Sequence, residues 1–376
     1  MIGAVVKQYP PTVIQLVARR AAEPDGVANY AFALACALRA YRGINSVFLS
    51  GTPSVDGMVV EDDWKTVCVA KRHAQTLADI VQSLSTENNA RAVVLHFSGY
   101  GYQKRGVPLW LAQGLRIWSR RAGCMPLLTI FHELYATGRP WQSAFWVSPL
   151  QKQIAHNLLK LSFAAITPTE RYSKRLSQWR NGKAIKIAAM PVCSNVGEPG
   201  CGPAPCARNA TAVVFGLAGV EDRIFGIYRR DVERIIAALG IEKIFDVGPR
   251  FSSVPRTLGG APVISKGVLP QGAVSELLQR TRFGIVAYAL DFIGKSSVFA
   301  AYAAHGVVPI VLSDKQGAFD GLQPARHFLD GLRPRTSAGV EDLASIQSEL
   351  FNWYTCHSLK VQADFVADSI LVDHGS

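Results

Sequence analysis

The sequence contains no uninterrupted apolar run of about 18 residues, so no membrane-spanning helix is expected. Its opening, MIGAVVKQYPPTVIQLVARR, lacks a basic start, an apolar block and a small-residue cleavage site, so no signal peptide is expected. Charged residues make up only 18% of the chain and apolar residues 49%, which excludes a disordered protein. The seven cysteines are odd in number, and four of them are isolated (Cys36, Cys68, Cys124 and Cys356). That argues against a disulfide framework and for a reducing compartment. Cys193, Cys201 and Cys206 cluster in PVCSNVGEPGCGPAPC, yet they form no C-x-x-C pair and have no histidine nearby, so no metal site is assigned. G-x-G-x-x-G, Walker A, H-E-x-x-H and D-x-D patterns are all missing, as is any recognised nucleic-acid-binding motif.

What is present is an α/β rhythm over 376 residues, a length that suits two domains. Strand-like runs cover 13–18, 46–50, 92–97, 127–133, 164–167 and 185–190. After a Pro-, Gly- and Cys-rich stretch they resume at 212–219, 241–248, 262–267, 283–288 and 307–313. Helix-period segments separate most of them. Leu111, Leu115 and Trp118 share one face, as do Val232, Ile235, Ile236 and Leu239. The pattern predicts parallel sheets flanked by helices. It predicts a first domain over 1–190, a flexible linker over 191–210, a second domain over 211–340 and a helical tail over 341–376.

In such sheets ligands gather beyond the carboxyl ends of the strands, and the informative residues fall there. Asp25-Gly26 follows the first strand and opens a helix, where an anion is favoured; a plain helix cap is the alternative. HFSGYGYQKRG (96–106) follows a later strand. Tyr100 and Tyr102 offer flat faces and hydroxyls there, and Lys104 and Arg105 suit phosphate; otherwise it is a solvated loop. His132-Glu133 ends the next strand, placed for acid–base work or else structural. Arg223 lies in the first loop of the second half, able to clamp a diphosphate or simply exposed. Gly294-Lys295-Ser296-Ser297 precedes an Ala-rich helix. Amides, hydroxyls and an ammonium there would converge on an anion, unless the turn merely caps the helix.

With 40 Lys and Arg against 28 Asp and Glu, the formal net charge is +12, which favours phosphate-bearing partners. Lys104, Arg105, Arg116, Arg120 and Arg121, and the basic residues between Lys152 and Lys186, are solvated faces or a contact for an anionic membrane.

The segments HFSGYGYQKRGVPLWL, FHELYATGRPWQSAFWVSPLQ and GKSSVFAAYAAHGVVPIV resemble glycosyltransferases of the GT-B fold, nearest the family 4-like group of surface-polysaccharide clusters. The resemblance covers the layout of nearly the whole chain and implies two Rossmann-like domains facing across a cleft, with a terminal helix crossing back to the first. It implies transfer of a sugar from a UDP- or GDP-linked donor to a glycan or lipid-linked acceptor, with no resident cofactor or metal, at a cytoplasmic site or the inner face of the membrane. His132, Glu133 and Lys295 would be catalytic. Asp25, Gly26, Arg223, Gly294, Lys295, Ser296 and Ser297 would hold the nucleotide sugar. Tyr100, Tyr102, Lys104 and Arg105 would line the acceptor side. The family's E-x7-E pair is replaced by Ile293 and Ala301, which keeps a non-catalytic scaffold and a nucleotide-sugar epimerase as alternatives.

Overall fold

The structure is a computed structural model that describes residues 10–20, 25–52, 58–61, 64–69, 71–121, 125–138, 141–216, 222–249, 254–333 and 340–371. The chain divides into two compact units. One takes residues 1–190 together with 359–376, and the other takes Pro191–Ser358.

In the first unit the elements are β1 (Thr12–Val17), α1 (Gly26–Arg42), β2 (Asn45–Ser50), β3 (Met58–Glu61), β4 (Trp64–Cys68), α2 (Ala74–Glu87) and β5 (Ala90–Phe97). They continue with α3 (Gly99–Tyr102), α4 (Leu109–Arg121), β6 (Leu127–Phe131), α5 (Ser143–Leu161), β7 (Ala164–Thr167), α6 (Glu170–Trp179) and β8 (Lys186–Ala189). The described residues form one sheet of order β3-β4-β2-β1-β5-β6-β7-β8, parallel except for β3. Every residue of β1 is buried, as expected of a parallel strand covered on both faces. The expected strand over 127–133 stops at Phe131, leaving His132 and Glu133 just beyond it.

The second unit contains β9 (Asn209–Phe215), α7 (Arg229–Leu239), β10 (Lys243–Val247), β11 (Thr257–Leu258), β12 (Ala261–Gly267) and α8 (Gln271–Arg280). After these come β13 (Thr281–Ala287), α9 (Ser297–Ala304), β14 (Val308–Leu312), β15 (Leu329–Asp330) and α10 (Val340–Thr355). Its sheet order is β11-β12-β10-β9-β13-β14-β15, parallel except for β11. Of the strand expected over 212–219, residues 217–219 lie outside the described residues. The expected tail over 341–376 splits. Helix α10 belongs to the second unit, and α11 (Leu359–Leu371) belongs to the first, where it packs on α1.

The expected flexible linker over 191–210 is instead packed into the second unit. Cys193 and Val196 are buried, and the Tyr354 hydroxyl accepts from the Ser194 amide at 2.8 Å. Arg208 is buried and donates to the carbonyls of Cys201, Pro203, Leu278, Thr281 and His305. Gln347 of α10 donates to the Pro203 and Gly306 carbonyls at 2.9 and 3.0 Å. One buried guanidinium thus gathers the Cys201 and Pro203 carbonyls of this stretch with those of Leu278, Thr281 and His305. The described cysteines are free thiols.

Helix α9 is apolar all round and buried, with Phe299, Ala300, Ala301, Tyr302, Ala303 and Ala304 inside the core. It lies close to β13 because Gly284 has no side chain; a Cβ there would come within 2.6 Å of the Tyr302 ring. The Tyr302 hydroxyl lies 3.1 Å from the carbonyl oxygens of both Val213 and Ile285. Gly284→Ala is therefore expected to lower stability by about 1–3 kcal/mol through overpacking. Urea unfolding followed by circular dichroism checks this; an unchanged midpoint would mean that α9 moves aside freely.

Candidate functional site

In both sheets the strand order reverses beside the first strand of its unit, between β1 and β5 and between β9 and β13. Loops diverge at such a point and leave a crevice at the carboxyl ends.

In the second unit Arg223 stands at this reversal. It lies in a short π-helical turn, Asp222–Ile227, after β9, and its Nη1 donates to the carbonyl of Ala287, the last residue of β13, at 3.2 Å. Its guanidinium also lies 5.9 Å from the centre of the Tyr228 ring. The chain after β13 forms a 3-10 turn, Leu290–Lys295, that leads into α9. The Ser313 hydroxyl, just beyond β14, accepts from the Leu290 amide at 3.1 Å and anchors the start of that turn. Lys295 is half-buried with its Nζ 5.7 Å from the Phe292 ring centre. Gly216 and Gly248 close the neighbouring strand ends, and a Cβ on Gly248 would meet the Gly216 carbonyl oxygen at 2.3 Å.

The turn 294–297 departs from expectation in two places. The Ser296 amide donates to the Ile293 carbonyl at 2.9 Å, and its hydroxyl caps α9 by accepting from the Phe299 amide at 3.2 Å. Ser296 is thus a helix cap whose amide and hydroxyl oxygen are engaged within the turn. Gly294 is buried and its carbonyl accepts from Val192. Lys295 and Ser297 remain half-buried at the mouth of α9, with the helix dipole behind them. Ile293 and Ala301, the positions of the replaced E-x7-E pair, are fully buried in the core, so neither stands at this mouth.

In the first unit Asp25 is the N-cap of α1. Its carboxylate accepts from the Val27 and Ala28 amides at 2.7 and 3.0 Å, and Arg19 lies 3.7 Å away. The anion at this helix start is therefore Asp25 itself. Space around Gly26 is open. Loop 98–106 folds tightly over the end of β1: a Cβ on Gly101 would meet Ala18 at 2.9 Å, and one on Gly99 would meet the Gly106 carbonyl oxygen at 2.7 Å. Tyr100, Lys104 and Arg105 are exposed on it. Tyr102 is not. It is fully buried, donates to the Leu16 carbonyl at 3.0 Å, and packs against Trp110, so it belongs to the core and not to an acceptor surface. Burial pushes its hydroxyl pKa well up, with the Asp25 charge adding to it.

His132 is buried at the end of β6, its amide held by the Phe97 carbonyl at 2.9 Å. Its Nε2 lies 3.4 Å from His96 Nδ1, and His96 Nε2 lies 2.8 Å from Gln15 Oε1. Gln15 in turn donates to the Ser46 hydroxyl at 3.4 Å. Since Gln15 Oε1 can only accept, His96 carries its proton on Nε2 and offers a lone pair at Nδ1, so His132 donates from Nε2. Tyr30 of α1 stands edge-on to both rings, and its hydroxyl donates to Gln362 of α11. Glu133 is half-buried and accepts from the Ser98 hydroxyl at 3.3 Å. Gln15, Tyr30 and Gln362 were not expected to take part; the one signal for them is a glutamine inside the apolar run VIQLVA. Among the described residues, no group of three His, Cys, Asp or Glu side chains could hold a metal ion.

No known protein-family model matches the sequence, and no curated protein matches it. Solved structures do match. A trehalose-6-phosphate synthase from Burkholderia multivorans aligns at a TM-score of 0.60 and 12% identity, over 96% of this chain and 98% of its own. The E. coli trehalose-6-phosphate structure bound with UDP-2-fluoro glucose aligns at 0.58 and 11%, over 96% and 99%. An alpha-glucosyltransferase in complex with UDP-glucose and DNA aligns at 0.52 and 9%, over 96% and 95%. The fold is GT-B. Within this GT-B chain, Arg223 lies in the segment after β9 and Lys295 and Ser297 in that after β13, neighbouring strands of one Rossmann-like sheet, while His132 and Glu133 follow β6 of the other.

Burial holds His96 well below the usual histidine range, with the neighbouring His132 adding to the effect. Burial also pushes His305 down to about 4 and His357 to about 3. These side chains stay neutral in the fold but take up protons in the unfolded chain below its ordinary range near 6.5. Their contribution is therefore complete above about pH 6.5 and is lost as the pH falls, by about 2 kcal/mol each for His305 and His357 at pH 5. Urea unfolding at pH 7 and pH 5 is expected to show this loss; equal stability at the two values would contradict the neutral assignments.

Proposed function

We propose that this protein transfers a sugar from a nucleotide-diphosphate sugar to a glycan or lipid-linked acceptor. Within the GT-B enzymes we place it nearest the family 4-like group, in polysaccharide or glycoconjugate synthesis, acting in the cytoplasm or at the inner face of the membrane. The observation that carries the reading is Arg223 at the strand reversal of the second unit, on the same sheet edge as Lys295 and the start of α9. A whole-chain likeness to solved structures bound with UDP-2-fluoro glucose and with UDP-glucose supports it.

Sugar transfer of this kind needs stabilisation of a departing diphosphate more than a strong base. Fixed cations and amides aimed at the growing charge lower the barrier electrostatically. In this reading Lys295 and Arg223 supply the cations without a resident metal. Ser297 and the dipole of α9 supply the remaining field, and Ser296 holds the turn in shape. The capped start of α1 leaves Gly26 as a point of close approach. His132 and Glu133 serve the acceptor or the reacting sugar, with Tyr100, Lys104 and Arg105 on the acceptor side. His96 and Gln15 fix the His132 ring so that Nε2 is the protonated nitrogen, leaving Nδ1 as the basic one.

Thermal unfolding of the wild type is expected to rise by about 2–4 °C with UDP or GDP or one of their sugars at saturating concentration. One nucleotide should be preferred. Arg223→Ala and Lys295→Ala are each expected to weaken that binding about tenfold or more through loss of a charge-assisted contact. No response to any nucleotide would favour the non-catalytic scaffold. A response unaltered in both variants would remove this site from the reading.

A further inference from the structure

The first two turns of α5, with Trp141 just before the helix, expose large apolar side chains that the fold leaves in solvent. Trp141 is 75% exposed, Trp146 71%, Leu150 54% and Phe145 42%. No other stretch of ten described residues presents as many. Phe145 and Trp146 pack edge to face at 5.4 Å, so the rings form one body. Trp146 and Leu150 are four apart on the helix and share a face. Beyond Leu150 the exposed positions of α5 turn polar, with Lys152, Gln153, Asn157 and Lys160. The apolar exposure is thus confined to one end of an otherwise ordinary surface helix. Contiguous patches of this kind mark interaction surfaces.

The surroundings select the partner. Gln151 donates to the Arg105 carbonyl at 2.9 Å and accepts from the Ala136 amide at 2.7 Å. Loop 103–106 is thereby pinned beside the root of the patch, with Lys104 and Arg105 exposed on it. Between His96 and Thr169 the sequence carries eight Lys and Arg and a single acid, Glu133, which is half-buried beneath Ser98. A protein partner for these rings beside Lys104 and Arg105 would have to be acidic and apolar at once. An anionic lipid surface is both: headgroups attract the cations, and tryptophan rings settle at the boundary between headgroup and acyl chain. Among the described residues no helix is long and apolar enough to cross a membrane.

We propose that the opening turns of α5, with the adjoining Lys104–Arg105 loop, dock the protein on an anionic lipid surface. The docking stands apart from the sugar-transfer reading, since it needs neither nucleotide nor catalysis.

The test is flotation of the full chain with phosphatidylcholine vesicles, and with vesicles in which part of that lipid is replaced by phosphatidylglycerol. The protein is expected to float with the anionic vesicles alone, with a blue shift in tryptophan emission. Raised salt is expected to weaken binding, as charge contacts with a lipid surface require. The double variant Trp141→Ser/Trp146→Ser and the single variant Trp146→Glu are expected to reduce binding about tenfold or more. Both alter exposed side chains, and unchanged circular dichroism and nucleotide response would show an intact fold. Failure of the wild type to float at low salt, or equal flotation of both variants, would overturn the proposal. So would sedimentation of the wild type as a dimer that Trp146→Glu dissociates, without any vesicle binding, because a second copy would then cover the patch.

Discussion

A parallel strand buried on both faces has nowhere along its length to put a polar side chain. Most buried strand positions of this chain are apolar, and the groups with candidate chemistry lie beyond the strands. His132 and Glu133 lie just past the carboxyl end of β6, and Arg223, Lys295 and Ser297 lie in the segments that follow β9 and β13 of the other sheet. The crevices where strand order reverses are then the places where such groups meet a ligand. Gln15 and His96 break the rule inside the first sheet. They are tolerated because each satisfies the other, with Ser46 and His132 taking the remaining bonds. A paired polar chain of this kind fixes the orientation of the ring at its end.

The long elements were legible in the sequence because burial wrote them as apolar runs and helical stripes. Helix α4 spans Leu109–Arg121 as its periodicity indicated. The short outer strands β3, β4, β11 and β15 were not legible, since an edge strand of two to five residues carries little pattern. The stretch 191–210 misled for a physical reason. Proline and glycine signal an absence of regular structure, but they say nothing about the long-range bonds through which Arg208 and Gln347 tie the stretch to the second unit. Arg208 reaches residues up to His305, and composition cannot display contacts of that range.

The candidate site shows the same limit at finer scale. Tyr100 and Tyr102 look alike in GYGY, yet two residues along a helical turn face nearly opposite ways. One is exposed and the other lies in the core. Asp25 and Ser296 sit where an anion site was expected, and each instead spends its own oxygen on the helix start it precedes. The sequence located the helix mouths but not whether their amides were already taken. That depends on the backbone angle of a single cap residue.

Helix α11 adds a constraint on how the molecule is made. It lies in the first unit, where Gln362 meets Tyr30 and Arg42 pairs with Asp364 and Asp368, although the whole second unit separates them along the chain. During synthesis the first unit must therefore wait, with the α1 face uncovered, until residues some 320 positions later emerge from the ribosome. A product cut short after the second unit would lack Gln362 but contain Arg223, Lys295, His132 and Glu133, and it would still present that uncovered face. The cell's proteases would have a ready mark by which to tell finished molecules from unfinished ones.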